Sequence, residues 1–169
     1  EVISIGIASS VAIFLACAAL DHLLVAFPLR SWYERQLGRR ANYARWIEYT
    51  FSSSLMVALI VVVVGVRDLG AIIAIISTNS AMILFGLLME QVNRPGDRVN
   101  WWPFTFGSLA GIVPWLAITI ALITAQREGD GVPGFVYGIF VSLFLLFNCF
   151  GLNQWLQYRG VGKWSDYVF

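Results

Sequence analysis

The sequence predicts an all-α membrane protein built from five transmembrane helices. Three observations carry this reading. Of 169 residues, 59% are hydrophobic and 12% are charged, with a mean hydropathy of +0.74. A soluble domain carries about 25% charged residues, so too little polar surface is left here to face water. The apolar residues fall in five blocks near the ~20 residues needed to cross a hydrocarbon core of ~30 Å. Basic residues gather in alternate joints between those blocks, which is the asymmetry that orients membrane helices.

The blocks run 3–27, 43–66, 70–90, 103–125 and 134–158, and residues 1–169 read as one helical bundle fragment. The first block ends at Phe27-Pro28. The joint after it holds Arg30, Arg35, Arg39 and Arg40. The second and third blocks are separated only by Arg67-Asp68-Leu69-Gly70, which predicts antiparallel neighbours. The third ends at a turn signal, Arg94-Pro95-Gly96-Asp97. The fourth contains Gly107 and Gly111, a pair of small residues that lets helices approach closely, and then Pro114-Trp115. Glycine and proline over 129–134 mark the next joint. The fifth block is aromatic and ends in Asn153-Gln154-Trp155-Leu156-Gln157, after which Arg159 and Lys163 follow. Helices are expected throughout, because hydrocarbon offers no partner for backbone groups left unpaired within a segment.

The first, third and fifth joints hold eight basic residues, while the second and fourth hold Arg67 and Arg127. Loops near 28–42, 91–102 and 159–167 are therefore expected to be cytoplasmic, in an integral protein of the plasma membrane. Trp32, Tyr33, Trp101, Trp102, Tyr158 and Trp164 flank the spans on that side, as an interfacial belt does. The chain opens at Glu1 and closes on Asp166-Tyr167-Val168-Phe169, which reads like the start of another apolar segment. A larger bundle is the expectation.

Ionisable groups within a span are costly and are functional candidates for that reason. Arg45, Glu48, Ser52 and Met56 share one face of the second span. Glu48 falls about one to two turns inside the boundary, where a carboxylate needs a cation or a proton, and Arg45 is one turn away. The plainer reading is a helix-end ion pair with serines packed on a neighbour. Asp21-His22 lies near the inner end of the first span, and His22 is the only histidine. His22 is either a proton relay or partner for Glu48, or a polar helix-end residue. In the third span Asn79, Met82, Gly86 and Glu90 share a face. Asn79 wants a partner at mid-membrane, an interhelical hydrogen bond being the plainer account, and Glu90 at the boundary is expected to be wet. Trp115 either packs at a proline kink or lines a chromophore. Phe147, Phe150, Gln154 and Gln157 form a stripe whose amides favour an internal face.

Cys17 and Cys149 lie in apolar blocks and read as small apolar residues. Soluble-enzyme motifs and multi-histidine metal sites are absent, so neither catalysis nor a metal is expected. No nucleic-acid partner is expected either.

The run Arg45-Trp46-x-Glu48-Tyr49, followed by serines, resembles the third helix of heliorhodopsins, retinal-binding microbial photoreceptors. Related rhodopsins carry an Arg-aromatic-x-Asp pattern at the extracellular end of that helix. The arginine-rich joints put this one at the cytoplasmic end, the inversion that sets heliorhodopsins apart. His22 resembles the family's second-helix histidine. Asn79-x-x-Met82 and the segment to Glu90 resemble its fourth helix, Trp101-Trp102-Pro103-Phe104 and Gly111–Trp115 its fifth, and Phe147-Asn148-x-Phe150 with Asn153-Gln154 its sixth. The five blocks then correspond to helices two to six of a seven-helix rhodopsin-like bundle.

The resemblance implies a light sensor that isomerises a Schiff-base retinal, with Glu48 as counterion and signalling rather than pumping as its role. It implies Arg45, His22 and Ser52 as counterion support and proton-accepting groups. It implies Asn79, Met82, Trp115, Phe147, Phe150 and Gln154 as the retinal pocket. It also implies all-trans retinal as cofactor, a lipid bilayer and a homodimer. The family's attachment lysine lies on helix seven. The only lysine here, Lys163, falls in a loop, so the attachment lysine is expected beyond residue 169. The competing reading is a proton or cation transporter or channel using Glu48, His22 and Asp21. A third is a membrane subunit whose polar residues only join helices.

Overall fold

The computed structural model describes residues 6–128 and 132–165. Its elements in order are α1 (Ile7–Ala26), α2 (Arg30–Gly38), α3 (Tyr43–Val63), α4 (Leu69–Val92), α5 (Trp102–Arg127), α6 (Gly134–Arg159) and a 3₁₀ turn over Gly162–Ser165. All helices except α2 are long and apolar enough to cross a membrane, and the chain is an all-α integral membrane protein. Residues 3–5 of the first expected span, residues 129–131 of the fourth joint and the expected further segment at 166–169 lie outside the described residues.

The helix ends follow local chemistry. Asn42 caps α3, its Oδ1 accepting from the Arg45 backbone N–H at 3.1 Å. Asp68 caps α4 in the same way through Ala71 N–H at 2.7 Å. Both satisfy donors that a helix start leaves without partners. Pro103 opens α5, where a missing N–H costs nothing. Gly160, at φ +64°, closes α6 in the left-handed conformation.

The first joint differs from the expected loop by holding α2. Trp32, Tyr33, Gln36 and Leu37 are half-buried along one side of this helix, and Arg30, Glu34 and Arg35 are exposed on the other. That spacing is amphipathic, but a short, arginine-rich stretch of nine residues reads in sequence as a joint.

α3, α4 and α5 pack in chain order, and α1 lies on α3. The short connection before α4 makes α3 and α4 antiparallel neighbours, as expected. Small residues set the α4–α5 approach: a Cβ at Gly107 would press on Phe85, and one at Gly111 would meet the Met82 sulfur at 2.6 Å. α6 reaches the layer through long side chains. Trp115 of α5 meets Phe140, Phe144 and Phe147 edge-on, with centroids 5.3–5.7 Å apart. The apolar core gathers at the α3 C-terminal end, where Val57, Ile60, Val61 and Val64 meet Ile75, Trp115, Ile118, Leu122 and Val136. The other half of α3 is polar.

Candidate functional site

The N-terminal half of α3 carries Arg45, Glu48, Ser52, Ser53 and Ser54, and its neighbours answer these groups in two directions. Toward α1, Glu48 is hydrogen-bonded by Ser52 and faced by Asp21 and His22. The Glu48 Oε1 atom is buried with no hydrogen-bond donor. His22 Nδ1 lies 2.7 Å from the Ala18 carbonyl one turn back. A carbonyl only accepts, so Nδ1 is the donor of this contact and Nε2 is the nitrogen left for other partners.

Toward α4, the geometry departs from the expected Arg45–Glu48 pairing. Arg45 Nη2 lies 2.6 Å from Glu90 Oε1. The Glu90 side chain is 1% exposed and the Arg45 side chain 31%. Glu90 also accepts from the Asn42 backbone N–H at 2.7 Å. Glu90, expected to be wet at the boundary, is thus a buried anion tying α4 to the start of α3. The reason is rotation about the helix axis: three residues advance by about 300°, so Arg45 sits about 60° round from Glu48. That offset is enough for one to face α4 while the other faces α1. Arg45 therefore joins α3 to α4 through Glu90 and makes no ion pair with Glu48.

Two more contacts lock the α3–α4 seam. The Trp46 indole lies on Gly86, where any Cβ would overlap the ring, and the Arg45 guanidinium stacks 4.8 Å from the indole centroid. Asn79, 1% exposed, donates through Nδ2 to Ser53 Oγ at 2.9 Å and Ser54 Oγ at 3.3 Å. Ser54 in turn pairs with Ser80 at 2.8 Å, and Ser53 Oγ donates to the Tyr49 carbonyl at 2.6 Å. The interhelical hydrogen bond foreseen for Asn79 is present.

The remaining expected pocket residues fall in two groups. Phe150 of α6 meets Tyr49 of α3 edge-on at 4.9 Å, and Gln154 Nε2 reaches the Gly86 carbonyl at 3.5 Å. Both lie near the polar half of α3. Trp115 and Phe147 belong to the apolar core, and Met82 lies over Gly111 between α4 and α5. Sequence reasoning placed Gly86 and Glu90 on one face and Trp46 and Tyr49 in the motif, but gave none of them its contact: Trp46 on Gly86, Arg45 on Glu90 and Phe150 on Tyr49. The usable signal was the shared face of Gly86 and Glu90, since a small residue one turn from a carboxylate marks where a bulky, charged neighbour docks.

A family model described as Heliorhodopsin matches residues 1–169, and the chain belongs to the heliorhodopsin family. In general terms it is a rhodopsin-type retinal photoreceptor of a membrane. No curated protein matches the chain.

Proposed function

We propose that this heliorhodopsin is a signalling light sensor in which Glu48 is the counterion of the chromophore. The observation that carries the reading is the buried Glu48 Oε1 atom without a donor. A carboxylate oxygen in that state is costly, and a cation brought beside it offsets the cost. The residues present fit retinal on this ground, together with the apolar and aromatic surfaces of Met82, Trp115, Phe147 and Phe150. When bound, retinal supplies a light-driven isomerisation and a positive charge at its point of attachment. Lys163, exposed in the 3₁₀ turn after α6, lies outside the membrane-length helices and is not the attachment residue of this reading.

Each residue of the chain then has a separate task. Glu48 holds negative charge in a water-poor site, and Ser52 orients it by hydrogen bonding. His22 Nε2 is the base best suited to take a proton on the α1 side, with Asp21 beside it. Trp115, Phe147, Phe150 and Met82 exclude water. Asn79 fixes the serine-bearing stretch of α3 against α4, and Gln154 ties α6 to the same helix at Gly86. Arg45 acts as a positioning residue through Glu90. The arginine-rich joints support a cytoplasmic location for that end, and the resemblance supports all-trans retinal and a homodimer.

The test is the absorption spectrum of the intact protein expressed with all-trans retinal, compared with Glu48→Gln. A visible band that shifts to the red in the variant is expected, because the chromophore's charge loses its counter-charge. A band that stays in place across a pH series would remove Glu48 from this role. The competing reading, a proton or cation path through Glu48, His22 and Asp21, predicts ion flux across vesicles that needs no retinal.

A further inference from the structure

At the arginine-rich end, two adjoining cavities lie between the α2–α3 joint and the α4–α5 loop. They share Asn93, Arg94 and Pro95. The larger, about 540 Å³, adds Arg39, and the smaller, about 150 Å³, adds Arg40. Among the described residues, none of these three arginines takes part in an ion pair. Two carboxylates line the cavities. Glu90, in the larger cavity, already has Arg45 as its cation, and Asp97 lines the smaller one with two arginines, Arg40 and Arg94.

The cleft has a fixed wall. Asn93 Nδ2 donates to the carbonyls of Met89 at 2.9 Å and Asn100 at 3.1 Å, and its Oδ1 accepts from Asn100 N–H at 2.6 Å. These bonds close the α4–α5 loop on the end of α4 and hold Arg94 at the rim. Arg40 follows the end of α2 and brings its guanidinium to the smaller cavity. It is the only described residue other than glycine with positive φ, at +57°. Glycine would hold that conformation without the steric cost, on the order of 1–2 kcal/mol, that a side chain brings. That conformation belongs to the cap of α2, where the Arg40 N–H donates to the Leu37 carbonyl at 2.9 Å and the Ala41 N–H to the Gln36 carbonyl at 3.0 Å. The general bias toward basic residues on one membrane side explains arginines in these joints. It does not explain why Arg94 of one joint lines two adjoining cavities, each with an arginine of another joint, Arg39 in one and Arg40 in the other.

We infer that this cleft is a binding site for a phosphate-type anion, with Arg39, Arg40 and Arg94 as its ligands. Guanidinium groups take phosphate in bidentate pairs. The phosphate comes either from a lipid headgroup or from a soluble compound, and the site is independent of the chromophore reading.

The experiment uses the full chain in nanodiscs at constant ionic strength. One arm titrates inorganic phosphate in phosphatidylcholine discs, followed by the thermal unfolding midpoint. The other replaces part of the lipid with phosphatidylglycerol and reads retained lipid by native mass spectrometry. The Arg39→Ala/Arg94→Ala pair is compared with Arg98→Ala, which removes one charge from the same loop but does not line the cleft. Saturable phosphate binding weakened about tenfold or more by the pair, and within about twofold of wild type in Arg98→Ala, assigns a soluble phosphate. Phosphatidylglycerol retention with the same dependence, without binding of free phosphate, assigns the headgroup. Arg40→Gly relieves the backbone while removing a guanidinium, so stability should hold or rise as binding falls. Absence of both ligands, or equal losses in Arg98→Ala, would overturn the site.

Discussion

The two halves of α3 are held by different forces. From Val57 to Val64 the helix meets its neighbours through close-packed aliphatic chains and the Trp115 indole. From Arg45 to Ser54 it meets them through an ion pair, an indole on a glycine, and a chain of hydroxyl and amide groups. Lipid tails are as apolar as valine, so the apolar half gains from fit alone, with no hydrophobic drive between helices. The polar half has a stricter demand, because each polar group without its partner carries the full cost of desolvation. The first arrangement tolerates substitutions of similar shape. The second specifies which helix sits where, and it does so in the stretch that carries Glu48.

The largest effect should come from Arg45→Ala. It leaves the Glu90 carboxylate, 1% exposed, without its cation, and about 3–5 kcal/mol of stability should be lost. Glu90→Gln should cost less, about 1–3 kcal/mol, because Arg45 is 31% exposed and can turn toward water. Thermal unfolding in nanodiscs ranks the two. A reversed order would mean that Arg45, not Glu90, is the group that cannot be left alone, and the contrast between the halves would rest on the wrong residue.

The next effect tests whether fit matters in the polar half too. Gly86→Ala should lower stability by about 1–3 kcal/mol, since the new methyl group overlaps the Trp46 ring. Combining it with Trp46→Leu should recover most of that loss. A neutral Gly86→Ala would show that the indole has a second resting place.

Much of this was legible in the sequence. Block lengths gave five membrane-length helices, and residue spacing put Asn79, Gly86 and Glu90 on one side of α4. What spacing does not give is the rotation of one helix against another. Arg45 and Glu48 share a broad face of α3, yet about 60° of turn sends one to α4 and the other to α1. Nothing within α3 encodes that choice. It depends on Glu90, which lies 45 residues on. The same limit hid the cleft, because Arg39, Arg40 and Arg94 belong to joints that only the fold brings together. α2 was missed for another reason: it is too short for its half-buried side to stand out from a basic joint.

The smallest effect is the sharpest test of how the polar seam works. Asn79 is fully buried at mid-helix, and burial alone would suggest a large penalty for Asn79→Ala. The geometry argues otherwise. Ser53 still donates to the Tyr49 carbonyl and Ser54 still pairs with Ser80 when the amide is gone, so neither hydroxyl is stranded. Hydrogen bonds between membrane helices average about 0.6 kcal/mol, and Asn79→Ala should cost about 1 kcal/mol. A double-mutant cycle with Ser53→Ala should give a coupling of about that size, and a cycle with Ser54→Ala a smaller one, in line with the 2.9 and 3.3 Å contacts. A loss approaching that of Arg45→Ala would mean that Asn79 holds more than the serines, and that the seam is anchored at mid-membrane and not at its charged end.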